Sequence, residues 1–270
     1  MSIRAAVTAL SGALVLSALS AVSGPSAGAA TSVGADAGDG DTQIVQVVVN
    51  GGKPVVLGPT GTKTFTLSIT ASDDSGIKDA YGWVYHGSFD NPDGHAGPGS
   101  DTPMSCTPDP VSETTSVCTT GITVGPRTPH TNATAGTWHV WTSVDADDFD
   151  FVQKDDAGDF PMKRAARLTA DAAPEPVAAG ATLTVKGVLS RANWDNGTWG
   201  GYAGRPVKLQ FRKAGAGAYS TVKTVTSGAG GALKTTAKAT ASGYWRWSFA
   251  GTGTTGAVSA TGDYVHVTAG

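Results

Sequence analysis

The chain has 270 residues, 40% of them hydrophobic and 15% charged, with a net charge of −3, seven Trp and two Cys. That apolar content can supply two cores at ordinary domain size. Glycine at 37 positions beside abundant Thr, Ser and Val, with no long Leu/Glu/Lys stretch, argues against a helical fold and for strands and turns.

At the start, Arg4 precedes an apolar run from Ala9 to Leu19 and then the small residues Ala27-Gly28-Ala29. This is the pattern of a secretory signal peptide over residues 1–29. Ser11, Gly12, Ser17 and Ser20 interrupt the run, which therefore falls short of the ~20 apolar residues of a spanning helix. No later segment is apolar enough to span a bilayer, so the expected product is secreted and extracellular, with no stable membrane span after cleavage. Residues 30–41 are small and acidic without apolar period and read as a disordered leader.

Strand patterns follow. Residues 43–49 are a β-branched run closed by Asn50-Gly51-Gly52, and residues 63–70 alternate, putting Phe65, Leu67 and Ile69 on one buried face. Asp73-Asp74-Ser75-Gly76 reads as a turn, and the next strand carries Tyr81, Trp83 and Tyr85 at alternate positions. A long loop rich in Gly, Pro and Asp comes next. Cys106 and Cys118 beyond it are most simply a disulfide closing a short loop, about 3 kcal/mol in the chain-entropy model; metal ligation is the alternative, with no CxxC spacing behind it. Residues 136–144 resume the alternation, with Trp138, Val140 and Val144 inward.

Pro174 and Pro176 around Glu175 mark the beginning of a second unit. Residues 181–186 match the Phe65/Leu67 strand in character, and Gly243-Tyr244-Trp245-Arg246-Trp247 matches the Trp138 strand, in the same order. Val207, Leu209 and Phe211 point in while Lys208, Gln210 and Arg212 point out. The expected fold is all-β: two tandem antiparallel immunoglobulin-like sandwiches, over residues 42–166 and 167–270, after a cleaved signal peptide and the disordered leader. Charge divides them. Residues 30–165 hold 7 Lys+Arg against 18 Asp+Glu, and residues 166–270 hold 11 against 4.

The strings Val47-Val48-Val49-Asn50-Gly51-Gly52-Lys53, Ala71-Ser72-Asp73-Asp74-Ser75-Gly76-Ile77, Leu209-Gln210-Phe211-Arg212-Lys213 and 243–252 resemble a family of exported actinobacterial proteins of unknown function. The resemblance covers most of the mature chain. It implies an immunoglobulin-like domain pair and secretion, and carries no assigned activity or functional residue.

Three constellations stand out. Asp145, Asp147, Asp148 and Asp150 form the densest carboxylate run, with oxygens of the kind calcium takes; the spacing departs from an EF-hand, and a solvated acidic hairpin is the simpler reading. Trp194, Trp199 and Tyr202 sit in a Gly-rich polar loop and read as an exposed aromatic platform for a sugar or partner side chain, against the plain reading that they fold back over the sandwich end. His86, Asp90, Asp93 and His95 fall within ten residues and could hold a transition metal, although Asn91-Pro92-Asp93-Gly94 has ordinary turn composition. Lys208, Arg212, Lys223 and Arg246 offer positive charge to an anionic wall polymer or simply solubilise their strands.

GxSxG and HExxH are absent, and no His has a recognisable nucleophile partner. The reading is therefore a non-catalytic secreted binding or structural protein, with no required cofactor, whose partner is cell-wall polysaccharide or a protein and not nucleic acid. A calcium-binding extracellular structural protein is the first alternative and a secreted enzyme with an unrecognised site the second. Oligomeric state is left open.

Overall fold

Phe65, Leu67 and Ile69 occupy successive inward positions of the strand Lys63–Ser72 and are buried, as are Trp138, Val140 and Val144 on Gly136–Ala146. These two rows belong to facing sheets. The computed structural model describes residues 37–125 and 131–269; the segment read as a signal peptide, and residues 30–36, lie outside them.

One sheet runs Gln43–Val49, Lys63–Ser72, Ser112–Val124, Ser105–Asp109. Its partner is built on Gly136–Ala146, which pairs along one edge with Ile77–Ser88 and along the other with Phe151–Lys154 and Asp159–Arg164. The second sandwich packs a sheet centred on Thr182–Asn193 against one ordered Ser220–Thr226, Pro206–Lys213, Gly243–Phe249. The fold is thus all-β, two immunoglobulin-like sandwiches, each with its own buried cluster. Two short pairings are parallel, Val55–Leu57 with Asp159–Arg164 and Val177–Ala178 with Val267–Thr268. Among the described residues no helix is long and apolar enough to cross a membrane.

Three local expectations need correction. Ala37–Asp39, read as the end of a disordered leader, is a strand whose backbone pairs with Phe151–Lys154. The Gly- and Pro-rich loop after residue 86 contains two strands, Asn91–Ala96 and Ser105–Asp109; the turn falls at Phe89 and Asp90 instead of at Asn91-Pro92-Asp93-Gly94. There the backbone of Ile77–Ser88 supplies ladder partners that composition alone does not reveal. Cys106 and Cys118 face each other across a hairpin and form the disulfide.

The third correction concerns Trp194. It belongs by sequence to the second sandwich, yet its side chain is 1% exposed and lies in the hydrophobic cluster of the first. Its indole N–H donates to the Leu57 carbonyl at 3.3 Å, and the same carbonyl accepts the Ala165 N–H at 2.7 Å. Asn132 of the first sandwich accepts the Trp194 backbone N–H at 2.9 Å and donates to Asn193 at 2.7 Å, while its own N–H reaches Asp195 at 2.8 Å. Arg164, 8% exposed, donates from Nε to the Ala192 carbonyl at 2.6 Å, and its backbone bonds to Thr254 and Gly256. Burial and the neighbouring Arg191 pull Arg164 below its ordinary pKa. By contact, the described residues form one compact unit. A buried indole donor would be costly without an acceptor, so the Leu57 carbonyl is part of what admits Trp194.

Trp194→Ala should cost about 3–5 kcal/mol, read as a lowered urea midpoint; a change within error of the parent would mean that the indole does not support the junction.

Candidate functional site

Ile77–Ser88 and Gly136–Ala146 set Trp83 directly opposite Trp141. The strand's inward positions are Ala80, Gly82 and Val84, so Tyr81 and Trp83 belong to the outer face. The reason lies across the core: a Cβ on Gly82 would stand 2.7 Å from a Leu67 methyl and 3.3 Å from both an Ile69 methyl and the Met104 sulfur. The facing sheet already fills that space, so the small residues go in and the aromatics go out.

Outside, the aromatics pack on each other. Trp83 lies 6.0 Å from Trp141, 5.4 Å from Tyr85 and 6.0 Å from Phe89 between ring centroids, and His95 meets it edge-on at 6.3 Å. Tyr85 stacks on His139 at 5.2 Å and donates its hydroxyl to the Asp155 carbonyl at 2.8 Å. The loop after Asn91–Ala96 closes beside Trp83 at Gly97, whose φ of +133° and the mere 2.9 Å that would separate an added Cβ from the Trp83 Cβ leave no room for a side chain. The result is an open cleft of about 570 Å³, floored by Trp83 and Trp141, walled by Phe89, Pro92 and Pro98, and edged by Gln153. No Asp, Glu, Lys or Arg lines it. Sequence reasoning passed over this cleft. The available signal was that Trp138 and Trp141 sit three apart on one strand and so point to opposite faces.

The Trp194 loop does not make a comparable surface. Trp194 is buried at the junction. Tyr202 is 6% exposed, with guanidinium groups of Arg191 and Arg205 at 4.0 and 4.7 Å from its ring centre and Phe249 edge-on at 5.9 Å. Burial pushes its hydroxyl pKa up, but hydrogen bonds with Thr255 and Thr252 and the two arginines outweigh that and hold it below its ordinary value. Trp199 is half-buried under Arg167, 3.8 Å from the ring centre, and packs against the first core. The expectation of an exposed platform is therefore corrected for Trp194 and Tyr202: Trp194 folds back onto apolar surface that the first sandwich offers, and Tyr202 packs into the core of its own sandwich.

The acidic run is divided. Asp148 and Asp150 come together with Asp73, a group of carboxylates whose nearest oxygens lie within 4.8 Å, and Asp73 forms a second such group with Asp41 and Asp74. Asp41 donates its N–H to Asp150 at 3.0 Å, and the Asp150 N–H donates to Asp148 at 3.1 Å. Asp145 stands opposite Asp79; burial and then Asp79 raise its pKa, opposed by Lys78. Asp147 lies over Gly76, its N–H donating to the Gly76 carbonyl at 3.2 Å. Neither joins the Asp73 groups. Local desolvation, then Asp74 and Asp73, push the Asp41 pKa up. Asp73 is 3% exposed and accepts from Thr42 at 2.6 Å and from both the N–H and hydroxyl of Ser75, at 2.8 and 2.6 Å. Burial alone would raise its pKa; these hydrogen bonds outweigh it and keep the carboxyl below its ordinary value.

Two histidines meet carboxylates. His86 Nδ1 meets Asp93 at 2.5 Å; His139 Nδ1 meets Asp156 at 3.1 Å and Asp159 at 2.8 Å. Asp90 and His95 do not join His86 and Asp93 in a metal-sized group among the described residues.

No protein-family model matches this sequence, and no curated protein matches it. Among solved structures the chain is similar to the polymeric Ig receptor ectodomain of a teleost fish, at 14% identity over 83% of this chain and 99% of that one, with a TM-score of 0.24. It is also similar to the D00–D0 domain of intimin, at 13% identity over 82% and 99% with a TM-score of 0.28. A third likeness is to Salmonella alpha-2-macroglobulin reacted with methylamine, at 13% identity over 88% of this chain and 15% of that one, with a TM-score of 0.30. At such TM-scores these likenesses carry no argument about function.

A carboxyl held below its ordinary value stabilises the fold above that value and loses its contribution as pH falls through the depressed one. Asp73→Asn should therefore destabilise at neutral pH by about 1–3 kcal/mol. The gap from the parent should narrow as pH falls below the ordinary value of 3.8. Urea titrations of both proteins across that range check it; a gap independent of pH would contradict the assignment.

Proposed function

We propose that this chain is a non-catalytic binding protein acting outside the cell, and that it holds a neutral polysaccharide, such as a wall glycan, in the cleft over Trp83 and Trp141. One observation carries the reading: the cleft is open, aromatic-floored and free of charged side chains. Indole faces pack against the C–H faces of sugar rings, and the His95 and Gln153 side chains at the edge supply hydrogen bonds to hydroxyls. A cleft without ionic groups has nothing with which to select a charged ligand. The disulfide and the signal-like start support an extracellular setting of the kind described for the exported actinobacterial proteins that the sequence resembles.

Affinity electrophoresis of the purified chain in gels carrying neutral glucans, mannans or chitin-derived polymers tests this. Trp83→Ala and Phe89→Ala should each weaken retention by about tenfold, roughly 1.4 kcal/mol, with unchanged circular dichroism. Retention on no glycan would overturn the ligand class and direct the search to a protein partner.

A second reading is calcium binding, favoured by the gathering of Asp73, Asp148 and Asp150 from two loops. Their carboxylate oxygens are the hard donors that calcium prefers. On this reading millimolar calcium raises the melting temperature of the parent, and Asp148→Asn with Asp150→Asn removes the rise; an unchanged melting temperature in the parent rejects it.

A further inference from the structure

The outer face of the second sandwich carries a half-buried array of arginine and tyrosine that the cleft does not use. On Pro206–Lys213 the outward positions are Lys208, Gln210 and Arg212, spaced by roughly 7 Å along the strand. Across the ladder, Gln210 stands beside Arg246 and Arg212 beside Tyr244. The Arg246 guanidinium lies 3.7 Å from the ring centre of Tyr219, and Arg212 lies 4.3 Å from that of Tyr244 and 5.2 Å from that of Tyr219. Both forks are held. Arg246 Nε donates to Gln210 Oε1 at 2.9 Å, and Arg212 Nη1 donates to the Ala216 carbonyl at 2.9 Å.

Among the described residues these cations have no acidic partners: neither Arg212, Arg246 nor Lys208 forms an ion pair. The four acids of residues 166–270 lie elsewhere: Asp195 at the Asn132 junction, Asp171 and Glu175 near Asp263, and Asp263 opposite Trp245, accepting the Ala172 N–H at 2.7 Å. Lys223, read from the sequence as part of the same charge, instead pairs with inward-facing Leu209.

Like guanidinium groups placed on neighbouring strands repel one another, and stacking on tyrosine fixes their direction without neutralising them. A fixed fork with free N–H edges is complementary to a planar carboxylate. The two guanidinium groups flank Tyr219 on one sheet face, with Tyr264 tilted against Tyr244 and 40% exposed beside them. Two fixed guanidinium groups so close together match an extended chain that carries carboxylates at short intervals, with the Gln210 amide N–H beside them for its hydroxyls.

We infer that the Arg212, Tyr219 and Arg246 array is a second binding site, and that its ligand is an acidic polysaccharide bearing carboxylates, held independently of the cleft over Trp83.

Affinity electrophoresis of the full chain in polygalacturonate tests the inference, beside a neutral galactan and polyglutamate, at low and high salt. Parent protein is retained by polygalacturonate at low salt, more strongly than by polyglutamate. Arg212→Gln with Arg246→Gln weakens that retention by about tenfold or more, whereas Lys186→Gln with Lys234→Gln, an equal change of charge elsewhere on the same sandwich, weakens it only slightly. Arg246→Lys, which keeps the charge and loses the fork, falls with the Gln pair. Trp83→Ala leaves it intact, which separates this site from the cleft. Absence of retention in the parent overturns the inference, as does equal loss in the two double variants, which would reduce it to net charge. Equal or tighter binding of polyglutamate overturns the assignment to a polysaccharide.

Discussion

Trp194 leaves the sandwich that produces it and completes the core of the other, and the arrangement of the whole chain follows from that exchange. Once the indole is buried, its N–H must find an acceptor, and the Leu57 carbonyl, already accepting from Ala165, supplies its second lone pair. The residues on either side of Trp194 are then placed for Asn132, and the Ala192 carbonyl for the Arg164 guanidinium. A polar network in a low-dielectric junction is unforgiving of partial satisfaction, so it orients the two halves more sharply than apolar contact alone would.

The cleft over Trp83 depends on a different constraint, the volume of the first core. Leu67, Ile69 and Met104 fill the space above Gly82, which leaves room there for nothing larger than glycine. Because a strand alternates, small residues inside put Tyr81 and Trp83 outside. The surface that can bind a ligand is thus the complement of a packing solution, and it is rigid because its floor is a pair of central strands.

Charge is laid out on the same plan. The first half brings three of its acids, Asp73, Asp148 and Asp150, together in loops at one end. The second carries arginines stacked on tyrosines across an open sheet. Neither set cancels the other within the chain among the ion pairs described, so each half presents a field of its own sign to solvent.

Much of this was legible beforehand. Alternation in residues 63–70, 136–144 and 205–213 gave the strands and their inward rows; composition gave the all-β class, and two cysteines twelve apart the disulfide. Period two states which residues share a face. It does not state which face is buried when both carry apolar groups, as in residues 77–88, because that is decided by the volume left by a sheet distant in sequence. The same limit hid the fate of Trp194, whose polar, Gly-rich loop looks solvent-facing until a second core lies within reach. It also hid the company of Asp148 and Asp150: Asp73 reads as a turn residue and joins them only when two loops meet. Local pattern determined the strands and the charge of each half, while long-range packing, which no local pattern encodes, decided which aromatics, acids and cations came to stand together.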